Sequence, residues 1–322
     1  MSAQAEYAGL PTATAQAPSM VAVATQVGDP NEFGETPVLN LKMAVSRFDV
    51  ARVEVREDKE VLVSFEDTFQ STIDYNDIPE QDLVYIFRAV DELRAHLSRS
   101  KATSGLDITI QKNIPFDTHL GGSAASAAAV LVALAALWDA TVVREDLVRI
   151  AKRVGDGVAD AITGGTLITH GNATEEVLTQ LLVQHELAMV IVPAAADIAT
   201  AEMLQSVRIM RETQQDDSDR SVLEFDAALL EAVVGGDAPQ VALMMHNDFQ
   251  SSLVSILPEH HDWLTAGMDA GALAAQTIGS GPSLIFLCSN LAEATTLAAR
   301  FEEHMDIAAV AEYGPVAGAQ LL

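Results

Sequence analysis

Apolar and polar positions alternate with a period of two over residues 19–27, 38–45 and 50–65, which predicts strands. Gly28-Asp29-Pro30-Asn31 supplies a turn between the first two. The period lengthens to that of a helix over residues 81–97, where Leu83, Ile86, Phe87, Val90, Leu93 and Leu97 form one apolar stripe. Strand alternation returns at residues 106–110, with Ile108 and Ile110 set against Asp107 and Thr109. A glycine-containing loop then leads into an alanine-rich helix, and a second helix is expected over residues 144–154. Farther on, residues 187–192 and 283–288 read as buried strands, and 225–234, 239–245, 263–270 and 292–304 as helices. Residues 212–220 are polar throughout and predict a loop, and residues 1–17, without periodicity, predict a disordered tail. Helices and strands mix without regular alternation, so the expected class is α+β rather than a doubly wound sheet.

Composition narrows the function. The 322 residues are 49% hydrophobic and 20% charged, enough apolar material for a full core and a length that suits about two domains. A formal net charge of −28 repels phosphate backbones and anionic lipid, so neither nucleic acid nor a membrane surface is an expected partner. The longest apolar run, residues 124–138, falls short of the roughly 20 residues a bilayer needs and reads as a buried helix. No basic residue precedes Lys42, so the start lacks the basic region of a secretory leader and the expected location is the cytoplasm. The single cysteine, Cys288, excludes a disulfide framework and an all-cysteine metal site, and its apolar surroundings predict a core thiol.

Three glycine-bearing segments carry the candidate chemistry. In the first, a strand ends at Ile114-Pro115, and Gly121-Gly122-Ser123 opens the alanine-rich helix. Unpaired N–H groups of a first helical turn, with the helix dipole behind them, attract anions, and glycines let a phosphate approach the backbone. The second segment, Gly279-Ser280-Gly281-Pro282-Ser283, is a turn entering a buried strand. The third runs from Gly155 to Gly165 and contains Asp156 and Asp160, either of which suits acid–base work or plain solvation.

These segments, in this order, resemble the GHMP-type small-molecule kinases, and within them the 4-diphosphocytidyl-2-C-methyl-D-erythritol kinases of actinobacterial type. Residues 114–138 follow the frame of that family's phosphate loop and helix without a gap. Met245-His246-Asn247-Asp248-Phe249-Gln250, Met268-Asp269-Ala270-Gly271-Ala272-Leu273, Gly279-Ser280-Gly281-Pro282 and the closing run from Tyr313 to Ala319 resemble later family segments. The resemblance implies a two-domain GHMP-kinase fold: an N-terminal domain like ribosomal protein S5 over residues 18–170, and a ferredoxin-like α/β sandwich over 171–322. It also implies ATP and Mg2+, a nucleotide and an alcohol as small-molecule partners, and either a homo-oligomer or pairing with an active paralogue. Nucleotide contacts would fall on His119, Leu120, Gly121, Gly122, Ser123, Ser126, Gly279, Ser280 and Gly281, with Ser123 as a magnesium contact.

The same frame has departures. The family's first-motif lysine falls on Met20, within Pro18-Ser19-Met20-Val21-Ala22, and its substrate segment on Phe33-Gly34-Glu35-Thr36. Two loop glycines become Thr118 and His119, a third becomes Ser123, the loop serine becomes Ala124, and the catalytic aspartate falls on Gly157. Asp156, one place early, is the displaced candidate for that aspartate. Of the other lysines, Lys112 ends a strand before Ile114 and Lys42 belongs to a different strand, so neither is expected to stand in for Met20. Impaired phosphotransfer, a pseudokinase kept for binding, and a kinase for a different alcohol are the three readings.

Overall fold

The computed structural model describes residues 11–68, 72–98, 104–138, 140–171, 176–196, 198–216 and 218–322. Strands β1 (Thr12–Val27), β2 (Val38–Arg56) and β3 (Val61–Glu66) are followed by α1 (Glu80–His96) and β4 (Gly105–Gln111). Then come α2 (Gly122–Leu137), α3 (Arg144–Val154), α4 (Val158–Thr163), β5 (Thr166–Gly171) and β6 (Glu176–Leu181). The second half contains β7 (Leu187–Val192), α5 (Thr200–Gln214), α6 (Ala227–Gly235), α7 (Ala238–Met244), α8 (Gln250–Ile256) and α9 (Glu259–Asp269). It closes with β8 (Ala274–Thr277), β9 (Leu284–Cys288), α10 (Leu291–Met305), β10 (Val310–Gly314) and β11 (Gln320–Leu321).

The first sheet has the order β11-β1-β2-β4-β3, with the β5–β6 hairpin joined to the far end of β2. All its pairings are antiparallel except β3 with β4. Against it lies α2, whose alanines from Ala124 to Ala135 are buried, because side chains this small let the helix approach strand and helix neighbours closely. The stripe Ile86, Ala89, Val90 and Leu93 of α1 closes over the same core. The second sheet, β10-β7-β9-β8, is antiparallel and buried on both faces, so β7 and β9 carry uninterrupted apolar runs. Phe286 and Cys288 face α10, where Leu297 and Phe301 complete a second core.

Several expectations need correction. Residues 12–17 are strand, not tail: β1 pairs with β2 from Thr12 onward, and Ala15 and Gln16 pair with β11 on the other edge. Ala15 and Ala17 are fully buried. Both partner strands are remote in sequence, so nothing local announces the pairing; the rest of the expected tail, residues 1–10, lies outside the described residues. The strand expected over 50–65 is two strands, split by a turn in which Asp58 accepts from the Glu60 N–H. The polar segment 212–220 begins inside α5, which buries Met203 and Val207, four residues apart, against Val27, Phe249 and Leu253. The first sheet also continues past residue 170 through β6 and takes back β11, so the two units interleave at the carboxy terminus.

Cys288 is a core thiol, and burial pushes its pKa up to about 11. The native protein is therefore expected to resist alkylation by iodoacetamide at pH 8 and to react fully once unfolded. Rapid labelling of the native chain, followed by mass spectrometry, would contradict this packing.

Candidate functional site

The chain leaves β4 at Gln111 and reaches α2 through a loop with left-handed backbone at Asp117, His119 and Gly121 (φ 57°, 56° and 75°). Three elements hold this loop. From β1, the Ser19 hydroxyl and the Met20 N–H both donate to the Leu120 carbonyl, at 2.7 and 3.4 Å. From the second domain, the Ser283 hydroxyl donates to the Thr118 carbonyl at 2.7 Å. Gly281 lies so close that a Cβ there would come within 2.1 Å of the His119 Cβ. The glycine turn before β9 thus seats the loop, and the second segment of the sequence meets the first. Its own shape is fixed by Asn247, whose amide donates to the carbonyls of Thr277 and Gly279. Desolvation lowers the His119 pKa, so the imidazole is neutral at pH 7.

Gly121 caps α2 with no side-chain hydrogen bond, leaving the first turn to whatever anion approaches it. Beneath that turn is a buried charge cluster absent from the sequence reading. Lys112 Nζ lies 2.7 Å from Asp49 Oδ2, 3.3 Å from Asp82 Oδ1 and 3.2 Å from Ser126 Oγ. Ser126 donates to Asp49 at 2.8 Å, and Ser123 donates to Asp82 at 2.7 Å. A Cβ on Gly122 would meet the ammonium at 2.8 Å, which places the cation directly under the helix start. Asp49, Asp82 and Lys112 come from β2, α1 and the end of β4, a spacing that offers no local motif. Burial raises the Asp82 pKa, against the pull of the ammonium.

The expected site residues separate accordingly. His119, Gly121, Gly122 and Ser123 border the start of α2, and Gly281 touches that loop; Gly279 and Ser280 belong to the same turn, with Ser280 bonded to Thr200. Leu120 turns its side chain into the core. Ser126 is not at the mouth at all: it is fully buried and committed to Asp49 and Lys112. Ser123, the expected magnesium contact, donates its hydroxyl to Asp82, whose other oxygen lies 3.3 Å from the Lys112 ammonium. Among the described residues no group of three acidic or histidine side chains is arranged to hold a metal.

The three substituted family positions do converge. A Cβ on Gly121 would lie 3.9 Å from the Met20 Cβ, and one on Gly157 would lie 3.4 Å from the Ala124 Cβ. Asp156 is exposed, with its N–H donated to the Tyr85 hydroxyl, while Tyr85 itself packs over Gly155. Asp160 is buried and ion-paired with Lys42. Thr36 lines a separate cleft of about 550 Å³ between the Val27–Pro30 turn and α5, with Arg208, Arg211 and Arg220 on its far side. Phe33 stands 78% exposed beside that turn.

Replacing Lys112 by Met would strand two buried carboxylates. The expected cost is about 3–5 kcal/mol at pH 7, read by urea unfolding. In that variant Asp82 stays buried without the ammonium that opposed its shift, so its folded pKa lies above its unfolded one; the deficit is present above the folded value and shrinks as the pH falls through it. A Lys112→Met deficit that stays constant from pH 7 to pH 4 would contradict the cluster.

Residues 84–169 match the GHMP kinase N-terminal domain and residues 228–307 the GHMP kinase C-terminal domain. A 4-diphosphocytidyl-2-C-methyl-D-erythritol kinase of Nocardioides sp. is 32% identical over 307 residues, covering 95% of this chain and 99% of its own. One of the same name from Pseudarthrobacter chlorophenolicus is 29% identical over 311 residues, covering 97% and 95%. A crystal structure of 4-(cytidine 5'-diphospho)-2C-methyl-D-erythritol kinase superposes with a TM-score of 0.71 at 22% identity, over 93% of this chain and 98% of that one. Homoserine kinase from Cytophaga hutchinsonii gives 0.71 at 18% identity over the whole of both chains. A glycine-bearing loop at a helix start, seated on the glycine turn before β9, and a likeness that runs almost end to end have one common origin: the chain belongs to the GHMP kinases.

Proposed function

We propose that the protein binds ATP at the start of α2 and transfers its γ-phosphoryl group, at a much reduced rate, to a cytidine-diphosphate alcohol. The reading extends to this chain the activity named for its relatives. The observation that carries it is the meeting of Met20, Gly121, Ala124 and Gly157 around one helix start. Such a meeting supports the alignment frame, and with it the identity of the missing groups. The anion-attracting part is retained: an uncapped helix start preceded by Gly121, and a loop clamped by β1 and by the Gly279–Ser283 turn.

The chemical part is what differs. Phosphoryl transfer is accelerated mainly by positioning and by charges aimed at the transferring oxygens. A thioether at Met20, a methyl at Ala124 and no side chain at Gly157 supply neither charge nor hydrogen bond. Loss of one such donor costs about 100- to 1,000-fold in rate, and grouped losses compound without simple additivity. Bound magnesium would bring Lewis-acid neutralisation with the nucleotide, and the chain's own residues would orient the phosphates through backbone N–H groups. A cytoplasmic enzyme acting on small molecules, with neither nucleic acid nor membrane as partner, fits the acidic surface. No helix among the described residues is long and apolar enough to cross a membrane.

The same substitutions favour a second reading, a pseudokinase that binds nucleotide or an active paralogue without turnover. Two measurements divide these readings. Mg-ATP at about a hundredfold excess over Kd should stabilise the protein by about 2.7 kcal/mol, a rise of several degrees in Tm; no shift at millimolar nucleotide would remove the kinase reading and leave only a pseudokinase that pairs with a paralogue. The variant combining Met20→Lys, Ala124→Ser and Gly157→Asp should raise ADP release with a cytidine-diphosphate alcohol by at least about 100-fold. Gly157 has φ 76°, a region that Asp tolerates better than most side chains, so the variant is expected to fold. Nucleotide binding without turnover in either protein leaves the pseudokinase.

A further inference from the structure

Lys42 lies on β2, a different strand from Met20, and the register brings the two together. Met20 pairs with Ala44 and Ala22 with Lys42 in the antiparallel β1–β2 ladder. Residues directly opposite share a face of the sheet, as do residues two apart, so Lys42 is the diagonal same-face neighbour of Met20, about 7–8 Å away. It stands opposite Ala22, which offers only a methyl group. From the other side comes Asp160 of α4, three residues after Gly157, the helix cap that occupies the family's aspartate position. Lys42 Nζ and Asp160 Oδ2 are 2.7 Å apart.

Exposure separates the roles of the pair. The Asp160 side chain is 1% exposed and cannot itself meet a ligand, whereas Lys42 keeps 20% of its side chain accessible. A buried carboxylate 2.7 Å from a partly exposed ammonium fixes where that cation sits. Lys42 is diagonal to Met20 in the strand register, and Asp160 lies in the first turn of the helix that Gly157 caps; Met20 and Gly157 are the positions where the family frame has lost its own lysine and aspartate.

We propose that Lys42 is the cation that meets the terminal phosphate of the nucleotide, in place of a lysine at Met20, with Asp160 as its positioning residue. The inference rests on the ATP-binding reading given above. In the transfer, the alcohol oxygen bonds to the γ-phosphorus as the bond from that phosphorus to the β–γ bridging oxygen breaks. ADP leaves and the alcohol proton is released to water. Lys42 keeps its proton throughout and only offsets the charge that spreads over the phosphoryl oxygens.

The test uses the full chain with MgATP and MgADP as separate probes, each titrated by thermal shift and calorimetry. Wild-type protein is expected to bind ATP more tightly than ADP, and Lys42→Met to lose that preference while its ADP affinity holds. Lys42→Arg should keep the preference, and Asp160→Asn should weaken it. Residual phosphotransfer should fall about 100-fold or more in Lys42→Met. Should a variant fail to fold, acetylation of the wild-type chain answers the same question: ATP, and not ADP, should protect Lys42 from modification, as read by mass spectrometry. An unchanged ATP:ADP ratio in Lys42→Met, or equal acetylation with either nucleotide, reduces the pair to a structural ion pair and overturns the proposal. Wild-type protein that binds neither nucleotide overturns the ATP-binding reading instead, and this inference falls with it.

Discussion

The buried ammonium of Lys112 is the contact on which the site's geometry depends. A charge removed from water is tolerated only when paired and hydrogen-bonded, and here the three partners come from three different elements. Asp49 brings β2, Asp82 brings α1, Ser126 brings the second turn of α2, and Lys112 itself ends β4. Asp49 extends the arrangement by accepting from the N–H groups of Asn113 and Ile114, where the chain enters the loop. Removing the lysine would leave two buried carboxylates uncompensated, and the start of α2 cannot drift relative to the sheet without breaking these contacts.

Above that clamp, shape and chemistry have parted company. The loop is held as a phosphate-binding loop would be, by β1 on one side and the glycine turn before β9 on the other. The positions to which the family frame gives a lysine, a serine and an aspartate carry Met20, Ala124 and Gly157. Met20 packs with Ala44, Leu167 and Val316 in an apolar cluster on the sheet. A fold maintained by burial is indifferent to which groups line its mouth, which is why fold and activity are argued separately.

Much of the architecture was legible before any coordinates. The helix at 144–154 and the strand at 187–192 coincide with α3 and β7, because each is a strongly periodic or continuously apolar segment bounded by polar residues. The elements that escaped notice lacked such a signal. β11 is two residues long and forms only because β1 has an open edge, and α8 has a polar first turn. Among site residues, the loop and its glycines were visible from local chemistry. The contact of Gly281 with His119 was suggested only by likeness, since 162 positions separate them.

What the sequence by itself determined was the material: an acidic chain with one core thiol, an alanine helix entered through glycines, and a family frame with Met20, Ala124 and Gly157 at its chemical positions. These are properties of single residues and short spacings, and no folding is needed to state them. Only the tertiary structure decided which charges meet. Ser126 went to the buried cluster rather than the mouth, Ser123 was engaged by Asp82, and Lys42 came alongside Met20 through the β1–β2 register. Pair distances between residues 41, 63 and 118 positions apart depend on strand register and helix packing, which are set by burial of the whole core rather than by any local run of residues.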